Sequence, residues 1–145
     1  MIEFFDTTVL VAAMVEDESR HEACARALEA ADNGHAALHS VAECYATLTG
    51  GRLGVQLSAA DASRLIRYNL HERLSLVSLS AAEYFKLVDH AGPAGARGGA
   101  IYDLLLLACA RKAKSERIYT LNERHFAALA SDLAAQIAVP GKQAR

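Results

Sequence analysis

Short apolar segments alternate with helical patterns along the whole 145-residue chain, and no other feature limits its fold as much. Ile2–Phe5, Ala36–His39, Leu74–Leu79 and Arg117–Leu121 are short and mostly apolar, the pattern of buried strands, and Ile137–Val139 reads as a small last one. Helical spacing fills the intervals. It runs over Val9–Val15, Ser19–Ala31, Ser40–Thr49, Ser58–Glu72, Ser80–His90, the segment around Asp103, and Glu123–Leu129. Ser19 with Glu22, Ser40 with Glu43 and Ser80 with Glu83 have capping-box spacing. Asn33-Gly34 marks a turn, Gly50-Gly51 a helix end, and Leu53–Leu57 a connection. Strands separated by helices pair in parallel, and the crossover helices cover both faces of the sheet. The expectation is therefore an α/β chain in three layers, α/β/α, around a central parallel sheet.

Composition removes several function classes. Hydrophobic residues make up 52% and charged residues 22%, with only two prolines, which fits a packed, helix-rich domain and not a disordered chain. With no repeat or linker in view, residues 1–145 read as one domain, with 140–145 a tail. A net charge of −2 gives no field for strong non-specific nucleic-acid binding. Cys24, Cys44 and Cys109 are scattered without a CxxC, so they read as small buried hydrophobes in a reducing compartment and not as a disulfide framework. The start, MIEFFD, is acidic where a signal peptide is basic. No apolar run reaches the ~18 residues of a membrane span. The chain is thus expected in the cytoplasm, away from membranes.

The chemistry-bearing residues stand at strand ends. Asp103 heads a long apolar run in GGAIYDLLLLACARKA, where a lone ionised carboxylate must be capped, paired or bound to a cation. Asp6 ends the first strand, Glu43 lies in the first turn after the second, and Asn122 ends the fourth. Sites in open parallel sheets lie beyond the carboxyl ends of the strands, so these four side chains can converge on one edge. Each is also placed to cap or box a helix, and that alternative stays open from sequence. If they converge, two carboxylates about 4 Å apart repel by roughly 4 kcal/mol at an effective dielectric of ~20. Three would need a cation to stay ionised. Carboxylates without a His or Cys cluster favour a hard ion, Mg²⁺ or Mn²⁺, and such an ion beside a phosphate makes a hydrolytic site. The chain has no G-x-S-x-G motif and no phosphate-binding glycine loop.

Four segments in series, FDTTVLVA, SVAECYATLT, GGAIYDLLLLACARK and IYTLNERHF, resemble the PIN-domain ribonucleases, most closely the VapC-type toxins of bacterial toxin–antitoxin pairs. The resemblance spans nearly the whole chain. It implies a compact PIN-like α/β/α fold and an acidic, Mg²⁺-dependent site that hydrolyses RNA, typically tRNA or ribosomal RNA. It also implies a homodimer and a small cognate antitoxin whose tail lies across the acidic groove. Asp6, Glu43 and Asp103 match the family's first three acids, and Asn122 stands where many members carry a fourth. An amide adds no negative charge, so a weaker second metal site is implied. Thr7 or Thr8 matches a hydroxyl residue that helps to hold the site, and Thr120 belongs to the pair before Asn122. Some members carry an aspartate three residues after that position, where this chain has His125.

Other residues receive lesser roles. Arg97, on the glycine-rich loop Gly92–Gly99, is a candidate phosphate contact. The basic patch of Arg111, Lys112, Lys114 and Arg117 reads as a solvated helix end. His125 reads as a surface histidine beside Phe126, and His21, His35, His39, His71 and His90 receive no role. No DNA-binding segment is visible in the chain. Two further readings are carried: a catalytically inactive RNA- or protein-binding module on the same fold, and a phospho-acceptor receiver domain. The second lacks the acceptor aspartate that a receiver needs after its third strand, where this chain has LVSLS.

Overall fold

The computed structural model describes residues 1–51, 54 and 56–142. Parts of the connection read at Leu53–Leu57, and residues 143–145 of the tail, lie outside the described residues. Strands β1 (Glu3–Phe5), β2 (Gly34–Ala37), β3 (Ser75–Val77), β4 (Arg117–Tyr119) and β5 (Ile137–Ala138) form one sheet in the order β3-β2-β1-β4-β5. Every pairing is parallel, with Phe4 opposite His35 on one side and Ile118 on the other. The chain lays β2 and then β3 to one side of β1, crosses over, and lays β4 and β5 to the other. The strand order therefore reverses between β1 and β4.

The helices are α1 (Thr7–Met14), α2 (His21–Ala30), α3 (His39–Thr49), α4 (Ala59–Ile66), α5 (Ala81–Ala91), α6 (Ala100–Lys112) and α7 (Glu123–Leu129). Successive strand residues point to opposite faces, and this splits the core in two. Phe5 and Ala36 face α1 to α4, packing with Val9, Leu10, Leu48 and Leu70. Phe4, Ala37 and Ile118 face α6, packing with Leu105, Leu106 and Cys109. Leu107 and Phe126 join α6 to α7. Three layers and an all-parallel sheet agree with the sequence reading, and Cys24, Cys44 and Cys109 are free and buried. Among the described residues no helix is long and apolar enough to cross a membrane.

The differences lie at element ends. The strand read as Ala36–His39 sits earlier, at Gly34–Ala37, and His39 already belongs to α3. The helix read over Ser58–Glu72 ends as α4 at Ile66 and continues as a π-turn over Arg67–His71. The box at Ser80 and Glu83 forms as read. At Ser19 it does not form, and Glu18 accepts from the Arg20 backbone N–H instead. Pro140 is buried and Lys142 pairs with Glu123, so the start of the segment read as a tail is tied to the body.

Candidate functional site

The reversal between β1 and β4 opens a crevice where both strands end, the position at which open α/β sheets take their ligands. A cleft of about 320 Å³ lies there, lined by Asp6, Thr7, Glu43, Asp103 and Asn122 among others. Larger hollows lie beside β5 and between α3 and α4, of about 770 and 680 Å³, but neither gathers the strand-end acids.

Asp6 is only 2% exposed. Its Oδ1 accepts from the Thr8 backbone N–H at 2.5 Å, so it does cap α1. Its Oδ2 accepts from the Thr8 hydroxyl at 3.0 Å and from the Thr120 hydroxyl. Thr120, fully buried, in turn accepts from the Asn122 backbone N–H at 3.0 Å, and Thr8 accepts from that of Leu121 at 3.1 Å. Two threonines thus lock the end of β1 to the end of β4. Among the described residues no cationic side chain pairs with this carboxylate, and burial pushes its pKa up to about 6 despite the three donors, with the Asp103 charge adding a smaller push.

Glu43 is reached through Thr7. The Thr7 hydroxyl donates to Glu43 Oε1 at 3.1 Å and lies 2.8 Å from the buried Ser40 hydroxyl. A hydroxyl has one proton to give, so Ser40 is the donor in the second contact. This replaces the capping box read at Ser40 and Glu43, because α3 has no side-chain cap. The capping alternative also fails for Asp103, since α6 begins three residues earlier at Ala100. Asn122 holds the N-cap position of α7 without a side-chain bond and faces the cleft. Burial raises the Asp103 carboxyl above its ordinary value, and His125 opposes that shift.

His125 is exposed, as the sequence reading has it, but that reading misses its partner. Its Nε2 lies 2.8 Å from Asp103 Oδ2, so it is a direct partner of the third acid and not a bystander at Phe126. The two residues are 22 apart on different helices, and no local pattern announces the contact. His39 was readable, one helical turn before Glu43, with its Nε2 3.6 Å from Glu43 Oε1. Glu18 and Arg20 also line the cleft and pair with each other at 3.1 Å. Arg97 is exposed and does not line it, because the glycine-rich loop holds its own course through bonds from the Ala94 and Ala96 N–H groups to the end of α5. Arg111 pairs with Asp132, Lys112 with Glu83 at 2.6 Å, and Arg117 with Glu3 at 3.9 Å, so three members of the basic patch are engaged outside the cleft.

Among the described residues no three His, Cys, Asp or Glu side chains are gathered closely enough to hold an ion. The donor chemistry nonetheless fits a hard cation. Carboxylates, hydroxyls and one amide face the cleft, and burial raises the pKa of its two aspartates.

A doubly wound parallel sheet with an acidic cleft at its switch point defines the class. Residues 4–131 match the PIN domain, and the chain belongs to that family. No curated protein sequence matches it. Among solved structures it is similar in fold to the Mycobacterium tuberculosis toxin VapC20, described as cleaving the sarcin-ricin loop. The TM-score is 0.71 at 17% identity over 87% of this chain and 94% of that one. It is similar also to a chain of VapBC-1 from nontypeable Haemophilus influenzae, with a TM-score of 0.64 and 19% identity over 96% and 98%. A chain of VapBC2 from Rickettsia felis, bound to a promoter DNA fragment, gives 0.62 and 17% over 94% and 96%.

Proposed function

We propose that this PIN-domain protein is a metal-dependent endoribonuclease, the toxin of a toxin–antitoxin pair that acts in the cytoplasm on tRNA or ribosomal RNA. The observation that carries the reading is the convergence of Asp6, Glu43, Asp103 and Asn122, from four separate places in the chain, on one cleft at the switch point. When bound, Mg²⁺, or Mn²⁺ in its place, supplies charge neutralisation at a phosphate and an acidified water. Asp6, Asp103 and Glu43 are the residues to hold it, with Asn122 offering an uncharged oxygen. Thr120 and Thr8 fix the Asp6 carboxylate from behind, and Thr7 with Ser40 fixes Glu43. Arg20, at the mouth of the cleft, offers a guanidinium to the RNA backbone. The VapBC neighbours support extending the reading to a cognate antitoxin, and the homodimer is carried from the family resemblance alone.

A second reading, a non-cleaving RNA- or protein-binding module, gains from one observation: His125 engages Asp103 and His39 lies against Glu43, so the acids already have partners. Cleavage of total RNA by antitoxin-free protein separates the two. The assay is run with Mg²⁺, with Mn²⁺ and with EDTA, beside Asp103→Asn. Discrete fragments only with metal and the unaltered chain support the nuclease. Intact RNA in every lane, from folded protein, supports the module.

A further inference from the structure

One pair of side chains, outside the cleft lining but next to two of its acids, is left unused by the chemistry above. The rings of His39 and Tyr102 stack with centroids 5.2 Å apart and planes 4° from parallel. The pair belongs to neither core cluster, and Tyr102 is 50% exposed. Its place is set by the two helices that carry acids. Tyr102 lies in the first turn of α6, immediately before Asp103, and His39 opens α3 one turn before Glu43. His39 touches the Glu43 carboxylate on one side and Tyr102 on the other. The half-exposed Tyr102 ring is therefore the outer layer of a two-ring stack whose other ring contacts a cleft acid.

A nucleotide carries the two features this arrangement matches: an anionic phosphate for the cleft and a flat π-face for the stack. Bases inside a duplex have both faces covered, whereas unpaired bases are free to stack on aromatic side chains. We propose that the Tyr102–His39 stack is the seat for one unpaired base of an RNA strand, next to the phosphate in the cleft. The inference rests on reading the cleft as an RNA site. A stack without hydrogen-bond readout tolerates different bases but requires the base to be unpaired.

The test uses short single-stranded oligoribonucleotides containing the fluorescent adenine analogue 2-aminopurine, whose emission falls when it stacks. They are mixed with the unaltered protein, Tyr102→Phe and Tyr102→Ala. Ca²⁺ replaces Mg²⁺, and gels monitor RNA integrity. The expected result is quenching by the unaltered protein and by Tyr102→Phe, with binding by Tyr102→Ala weaker by roughly 5- to 100-fold and its quenching lost. Equal quenching and affinity in all three proteins would overturn the inference. So would no quenching by the unaltered protein, which would leave the exposed stack to a protein partner. Metal-dependent cleavage of total RNA without this signature would refute the base seat and spare the nuclease. A Tyr102-dependent signature without cleavage would do the reverse.

Discussion

At the scale of single residues the molecule turns on Asp6. Its folded pKa of about 6 lies above the ordinary carboxylate value of 3.8, so the folded state holds this proton more tightly than the unfolded chain does. The contribution is fully present at acid pH and is lost as pH rises from about 4 through 6. It amounts to about 3 kcal/mol, because each tenfold gain in proton affinity is worth ~1.4 kcal/mol. Asp6→Asn is expected to remove this slope, read as chemical denaturation against pH without divalent ions, and to abolish RNA cleavage while the far-UV spectrum is kept. An unchanged slope would place the titration elsewhere. Thr120 is the second pivot. Its buried hydroxyl donates to Asp6 and accepts from the Asn122 backbone, so Thr120→Val removes one of the two donors to Asp6 Oδ2 and the acceptor of the Asn122 N–H, and should cost about 1–3 kcal/mol in a denaturation titration. A smaller loss would mean that water substitutes for the hydroxyl.

At the scale of elements, the helix starts divide into two kinds. α5 starts on a complete capping box, in which Ser80 accepts from the Glu83 N–H at 3.2 Å and Glu83 accepts from the Ser80 N–H at 2.8 Å. α3 and α6 have no side-chain cap, and their acids, Glu43 in the second turn of α3 and Asp103 in the first turn of α6, line the cleft instead. Ser80→Ala should therefore cost about 1 kcal/mol of stability with RNA cleavage unchanged, measured by paired melting and activity assays. β2 shows a tighter constraint. A Cβ on Gly34 would meet Leu74 Cδ2 at 2.7 Å, so Gly34→Ala forces the end of a core side chain to move. Because that atom is the far end of a flexible side chain, the loss on denaturation should lie at the low end for overpacked sites, about 1 kcal/mol or less.

At the scale of the whole molecule, folding and ion binding are one problem. The sheet holds carboxylates from separate elements around one crevice, and burial there raises the pKa of Asp6 and of Asp103. A dication that binds only the folded state stabilises it by about 2.7 kcal/mol when present at a hundredfold its Kd. Mg²⁺ or Mn²⁺ is therefore expected to raise the melting temperature near neutral pH, and Asp103→Asn to blunt the rise. An equal rise in both proteins would assign the ion to another place.

The α/β class, the strand segments to within a few residues, the positions of Asp6, Asp103 and Asn122 at a strand end, a first turn and a helix start, and the box at Ser80 were legible in the sequence, whereas Glu43, read in a first turn, lies one turn further into α3. Each rests on local periodicity or on spacing within a few residues. The tertiary structure alone decided the order β3-β2-β1-β4-β5, and with it the placing of the crevice between β1 and β4. It alone set Thr120 behind Asp6 across 114 residues, brought His125 onto Asp103, stacked His39 on Tyr102, and left Arg97 off the cleft. These contacts join elements far apart in the chain. Packing of the two faces of the sheet sets their geometry, and no repeat or spacing within one segment encodes it.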